Sequence, residues 1–198
     1  MTRRLDQLER VEVTSRDELR AWLDANHATA HSCWLVTFKR TGGDKYLSYN
    51  SVVEELLCFG WIDSLPRALD ERRTMLLISP RKPGSNWSKD NRDRVKKLEA
   101  EGRMHLAGHE CLALAKRDGS WERLKQTETG EAPLDLARAL EEAGASDQWD
   151  AFSLSVRRRS LELLLAAKLP QTRANRIERI VKASVAGEDP TLWRPKAQ

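Results

Sequence analysis

No long hydrophobic run interrupts this sequence. Nothing in its 198 residues approaches the ~20 apolar residues that a bilayer-spanning helix needs, so membrane insertion is not expected. The opening stretch, "MTRRLDQLERVEV", has basic residues but no apolar segment behind them, so no secretory signal is expected either. Cysteine is scarce. Cys33, Cys58 and Cys111 are odd in number, widely spaced and free of any CxxC motif. That excludes a disulfide framework and fits a reducing cytoplasm. There is no internal repeat, no long low-complexity tract, no full P-loop and no HExxH. Nothing in the sequence requires a cofactor.

What is there is a charge-rich globular chain. Hydrophobic residues make up 40% and charged residues 32%, a balance that buries a core and argues against disorder. The net charge of +4 conceals strong segmentation. Residues 72–97 carry nine basic and two acidic side chains, whereas residues 98–150 carry six and twelve. Residues 151–198 are basic again, with ten against four. A local basic block suits an anionic partner, but it can equally be a solvated face or pair with an acidic block.

Capping and periodicity place the elements. "SRDE" at 15–18 is a capping box, and Leu19, Trp22 and Leu23 then share a helical face. "CWLVTFKR" (33–40) is a buried strand, and "TGGDK" a turn. A helix over 49–58 puts Tyr49, Val52, Val53, Leu56 and Leu57 on one face and Ser51, Glu54, Glu55 and Cys58 on the other. Gly60 ends it. A strand "WIDSLPRAL" follows, confined by Pro66 to an edge or a bulge. "RRTMLLISPR" (72–81) pairs antiparallel with it. After the loop 79–91 a helix opens near Trp87 or Ser88, with Trp87, Asn91, Val95 and Leu98 in one stripe. Another helix spans 104–118. Residues 125–133 read as a linker, and further helices follow over 134–143, 147–152, 156–168 and 172–186. The fold class expected is α+β, with a small, mainly antiparallel sheet and helices over 1–124, then an all-helical region over 134–198.

"YLSYNSVVEELLCFGWIDS", the Leu69–Asp70 pair, "SPRKPGSNWSKDN", "LEAEGRM" and "AAKLPQTRANRI" together resemble the YdeI/OmpD-associated, or bacteriocin-protection, proteins. The resemblance covers about positions 31 to 185. Leu77 and Ile78 depart from it, standing where the family carries an Arg and an aromatic. The resemblance implies a role in tolerance of bacteriocins or antimicrobial peptides, and a partner linked to the cell envelope. It assigns no catalytic residues.

The residues themselves point to "PRKPGSNWS". Arg81 and Lys82 precede a Pro83–Gly84 turn, and Ser85 and Ser88 stand where a helix begins. Helix N-termini present unpaired amides and about half a positive charge, so a phosphate or carboxylate pocket follows, with contacts expected to the amides of 85–88. The plainer reading is helix capping with solvated cations. Trp61 and Trp87 are expected as walls of this cleft, and Asp63 as the group that holds Arg67 or Arg81. If 61–69 is a regular strand, Asp63 and Arg67 share a face and Asp70 takes the other. On the Trp87 helix, Asn91 is a polar residue in an apolar stripe, expected to hydrogen-bond segment 61–70.

Other constellations carry less. Cys58 sits at a helix C-terminus, the wrong end for a thiolate. His105 and His109 have zinc spacing, but Cys111 falls about 200° away from His109 and no further ligands follow, so no metal is expected. Arg157, Arg158 and Arg159 spread around a helix and read as a solvated face. Three functions follow in order. The first is a non-catalytic protein binding an anionic small molecule or peptide between the "CFGWIDS" and "PRKPGSNWS" motifs. The second is a small cofactor-free enzyme using Asp63 with Arg67 or Arg81. Nucleic-acid binding through the basic blocks is the weakest.

Overall fold

The computed structural model describes residues 5–192 and divides at Arg123/Leu124 into two compact units. In the first, Ser15 caps helix α1 (Arg16–Asn26) by accepting the Glu18 amide at 3.1 Å. The Glu18 carboxylate reaches back one residue further than a capping box requires, taking the Thr14 amide at 2.7 Å. Leu19 and Leu23 are fully buried beneath it.

Four strands form one sheet in the order β1-β2-β4-β3. They are β1 (Arg10–Glu12), β2 (Cys33–Phe38), β3 (Trp61–Ala68) and β4 (Arg73–Pro80). The pairs β2–β4 and β3–β4 are antiparallel, while β1 joins β2 in parallel. Every residue of β2 is buried because both of its faces are covered. Cys33 and Leu35 face the helices together with Ile78, and Trp34 and Val36 pack with Met75 on the reverse face. Pro66 lies on the edge strand, as its missing amide requires, and next to a register shift between Asp63 and Pro66.

Helix α2 (Tyr49–Cys58) has the expected bounds. Gly60 follows it at φ +71, where an added Cβ would stand 2.9 Å from that of Cys111. Burial of α2 is not confined to its apolar face, however. Glu55 and Cys58, expected on the polar side, are each 0% exposed because α1 and the segment after α3 (Lys89–Ala100) cover that side. Ser88 caps α3 through the Asn91 amide, and His105 caps α4 (Leu106–Arg117) through the Ala107 amide.

The second unit holds helices α5 (Leu134–Glu142), α6 (Ser146–Ala151), α7 (Leu154–Leu165) and α8 (Pro170–Val185). Its core is its own, built on Leu136, Leu140, Trp149, Leu161, Leu164 and Ile180. The stretch 125–133 lies in this unit, with Thr127 and Gly130 buried. No helix among the described residues is long and apolar enough to cross a membrane. The architecture is α+β.

Candidate functional site

A pocket of about 100 Å³ lies where β4 runs into α3. Arg81, Lys82, Ser85 and Trp87 line it from the "PRKPGSNWS" loop, and Gly60, Cys111 and Asp118 close it from the other side. Arg81 is only 8% exposed. Its guanidinium lies flat on Trp87, with Cζ 3.8 Å from the ring centroid, and Trp87 in turn packs on Trp121 at 5.1 Å. Nη1 donates to the Asn86 carbonyl at 2.9 Å. Nε and Nη2 are buried without a hydrogen-bond partner, and so is the Trp87 indole nitrogen.

Those two Arg81 nitrogens are the parallel pair on one edge of the guanidinium, the edge that takes a carboxylate or phosphate through two bonds. Burial pushes the Arg81 guanidinium down to about 10, while Cys111 and Asp63, acting through space, hold it up. The loop over the pocket is clasped from behind. Asp118 accepts the Gly84 amide at 2.9 Å and the Ser120 amide at 2.8 Å, and these bonds, Ser120 first, hold its carboxyl below the usual carboxylate range. Arg123 donates to the Gly84 carbonyl at 2.8 Å and to Asn86 at 3.1 Å.

The remaining expected residues go elsewhere. Trp61 is in the core, edge-on to Trp22 at 5.7 Å, and its indole nitrogen faces the His27 carbonyl. Asp63 accepts the Tyr49 hydroxyl at 2.8 Å. Arg67 lies on the opposite face of the sheet, over the Trp34 ring at 4.8 Å and paired with Asp6 at 2.6 Å. The register shift is the reason: it pairs Asp63 with Ile78 but Arg67 with Met75, and those two residues of β4 point to opposite faces. Asp63 and Arg67 therefore do not form the expected couple.

The helix start differs as well. Ser88 serves as the cap of α3, the Ser85 amide closes a turn on the Lys82 carbonyl at 3.1 Å, and the Ser85 hydroxyl donates to the same oxygen. Both hydroxyls are thus engaged with the backbone of the loop and the helix start. Asn91 is half-buried, and its side-chain oxygen accepts from Arg94 at 3.2 Å rather than from segment 61–70. The buried polar residue of α3 is its neighbour Arg92, which donates to the Trp87 carbonyl at 2.7 Å.

The basic block 72–97 is largely spent on structure. Arg73 pairs with Asp70 and Glu12, Lys89 with Asp93, and Lys97 with Glu54. Sequence reasoning missed the densest charge cluster in the unit. Fully buried Glu55 accepts from Arg16 at 2.5 Å, Arg20 at 2.8 Å and Arg103 at 2.5 Å. The i, i+4 spacing of Arg16 and Arg20 on α1 is the one local signal for it. His105 stacks on Phe59 at 4.7 Å, and among the described residues no group of His, Cys, Asp or Glu could hold a metal ion.

Two family models match the chain. Residues 11–111 match the model described as a domain of unknown function (DUF8412), and residues 129–187 match the one described as "Bacteriocin-protection, YdeI or OmpD-Associated". The first match spans more than half of the sequence, so the chain belongs to the DUF8412 family. The "CFGWID" and "PRKPGSNWS" motifs fall inside it. "AAKLPQTRANRI", in the second unit, falls inside the bacteriocin-protection match. No curated protein and no solved structure matches the chain.

Proposed function

We propose that the chain is a non-catalytic binding protein that takes an anionic group, a carboxylate or a phosphate, on the open edge of Arg81. The observation that carries this reading is the buried guanidinium whose Nε and Nη2 have no acceptor. Leaving such donors unmet is costly, and the cost is recovered when an anion binds. Nη1 and Trp87 fix the plane of the group beforehand, so little order is lost on binding. Both donors are buried, so the anion enters as the exposed turn Lys82–Gly84 lifts away from Asp118. Lys82, exposed on that turn, supplies a second positive charge at the entrance. The bacteriocin-protection match supports a role in tolerance of such agents, and the unpaired thiols of Cys33, Cys58 and Cys111 suit the cytoplasm.

The enzyme reading is disfavoured by the separation of Asp63 from Arg67 across the sheet. The test of the binding reading is thermal melting in phosphate, sulfate or acetate against chloride at matched ionic strength. The parent and Arg158→Ala are expected to gain melting temperature in the first three salts, and Arg81→Lys, which keeps the charge but loses the two-pronged edge, is not. Equal gains in all three proteins mean general salting, and the site then does not exist.

A further inference from the structure

A second cavity, independent of Arg81, lies on the helix-facing side of the sheet. It encloses about 400 Å³, within the range of small-molecule pockets. The register explains why it is there. Leu35 pairs with Leu76 and Thr37 with Thr74 across β2 and β4, and Pro66 stands beside Leu76 on β3, so all five share one face. The body of helix α2 covers the Cys33–Ile78 end of that face, while Tyr46, Leu47 and the first turn of α2, at Tyr49 and Val52, line the cavity at the other end. The floor is accordingly half-exposed at Thr74 and Leu76, and Tyr49 is 56% exposed at the rim. An apolar floor with two tyrosines beside it is poorly served by water.

The charged groups of this cavity are Lys39 and Asp63. Lys39 keeps its charge but holds its Nζ on the Asp70 carbonyl at 2.8 Å. Asp63 is half-buried and receives one bond, from Tyr49 to Oδ2; Oδ1 has no hydrogen bond among the described residues. Arg81 and Arg94 act on the Asp63–Tyr49 pair through space, and neither forms an ion pair with Asp63. Desolvation, with Asp63 second, pushes the Tyr49 phenol up to about 12, and its hydroxyl is the donor to Asp63.

We infer that this cavity binds a small amphipathic amine, with its apolar body on the Leu35–Leu76 floor and its cationic nitrogen on the free oxygen of Asp63. Charge selects the ligand class. A cation gains a charge-assisted hydrogen bond at Asp63, a neutral analogue gains only the apolar contact, and a carboxylate meets repulsion.

Phenethylamine, 2-phenylethanol and 3-phenylpropionate make a matched series that differs only in the head group. Amide chemical-shift titrations of the full chain give both location and affinity. Phenethylamine is expected to move the amides of residues 35–37, 63–64 and 74–76, and to bind about tenfold more tightly than the carboxylate. Asp63→Asn keeps an acceptor for Tyr49 and is expected to erase that preference while leaving 2-phenylethanol unchanged. Thr74→Trp, which fills the floor, is expected to weaken all three. Equal binding of amine and carboxylate would overturn the inference, as would shifts centred elsewhere or an amine preference that survives Asp63→Asn. None of these outcomes requires an anion to bind at Arg81.

Discussion

Glu55 is the residue on which the first unit leans most. A carboxylate with no exposure is tolerable only if its charge is met, and here three guanidinium groups meet it. Glu55→Gln removes the charge but keeps the size, and it turns an amide toward donors. Three arginines then face one another around a neutral group. The expected loss is about 3–5 kcal/mol, measured by urea unfolding, and larger than that of Glu54→Gln, whose partly buried side chain pairs with Arg16 and Lys97. A loss for Glu55→Gln no larger than that for Glu54→Gln would mean that the cluster is solvated and not structural. The sequence could not disclose this cluster. A helical wheel sorts Glu55 to the polar face and stops there, since it holds no information on whether another helix covers that face. The same limit explains α3, where the apolar stripe was legible but Arg92, one position from the expected Asn91, is the polar group taken inside. Arg81 itself was legible, because Pro–Gly turns and cations before a helix are local signals. Its unmet edge was not, because that depends on where Trp87 and Asn86 come to rest.

Among the elements, legibility followed the range of the interactions. Helix starts at Ser15 and Ser88 are set within four residues, and α2 has the bounds its periodicity gives. The antiparallel β3–β4 hairpin is set by a short turn. Strand β1 was not legible: three residues carry no period, and its parallel pairing with β2 is fixed across the whole of α1. Pro66 confined β3 to an edge or a bulge, but the consequence of a register shift was not legible, since one extra residue re-aims every side chain beyond it. Helix α4 depends on a close approach of the same long-range kind. A Cβ added at Gly108 would lie 2.2 Å from the Cys58 carbonyl oxygen, which is backbone and cannot swing away. Gly108→Ala gains helix propensity, worth less than about 1 kcal/mol, yet must push α4 off the end of α2. The net expectation is destabilisation by about 1–3 kcal/mol in thermal or urea melts. A variant as stable as the parent, or more so, would show that α4 does not seat on α2 in this way.

For the whole molecule, the three charge blocks over 72–198 gave magnitudes but not partners. The basic block neutralises itself against acidic residues far away in sequence, as in Arg73–Glu12 and Lys97–Glu54, so its field is smaller than its formal charge implies. The carboxylates in such pairs and caps make the response to acid predictable. In the first unit Glu18, Asp70, Asp93 and Asp118 are all held below their ordinary values, by Thr14, Arg73, Lys89 and Ser120 respectively. In the second unit Arg173 does the same for Asp135, and Lys182 for Glu178. A carboxyl group whose pKa is lower folded than unfolded binds fewer protons in the folded state. Its stabilisation is therefore complete above the unfolded value, 3.8 for Asp and 4.5 for Glu, and is lost as pH falls through the folded value. Stability is expected to be flat with respect to these groups from neutrality to about pH 5 and to fall below about pH 4. Asp118→Asn is expected to shallow that fall in the first unit, because one fewer carboxylate must be protonated. Near-ultraviolet circular dichroism is weighted toward the first unit, which holds Trp22, Trp34, Trp61, Trp87 and Trp121 against the buried Trp149 of the second. These carboxylates are largely exposed, so raising the salt to about 1 M, where screening acts within about 3 Å, should flatten the ion-pair part of the slope and spare the part owed to the Thr14 and Ser120 bonds. Stability that rises between pH 5 and pH 3 would contradict the sign of every one of these shifts.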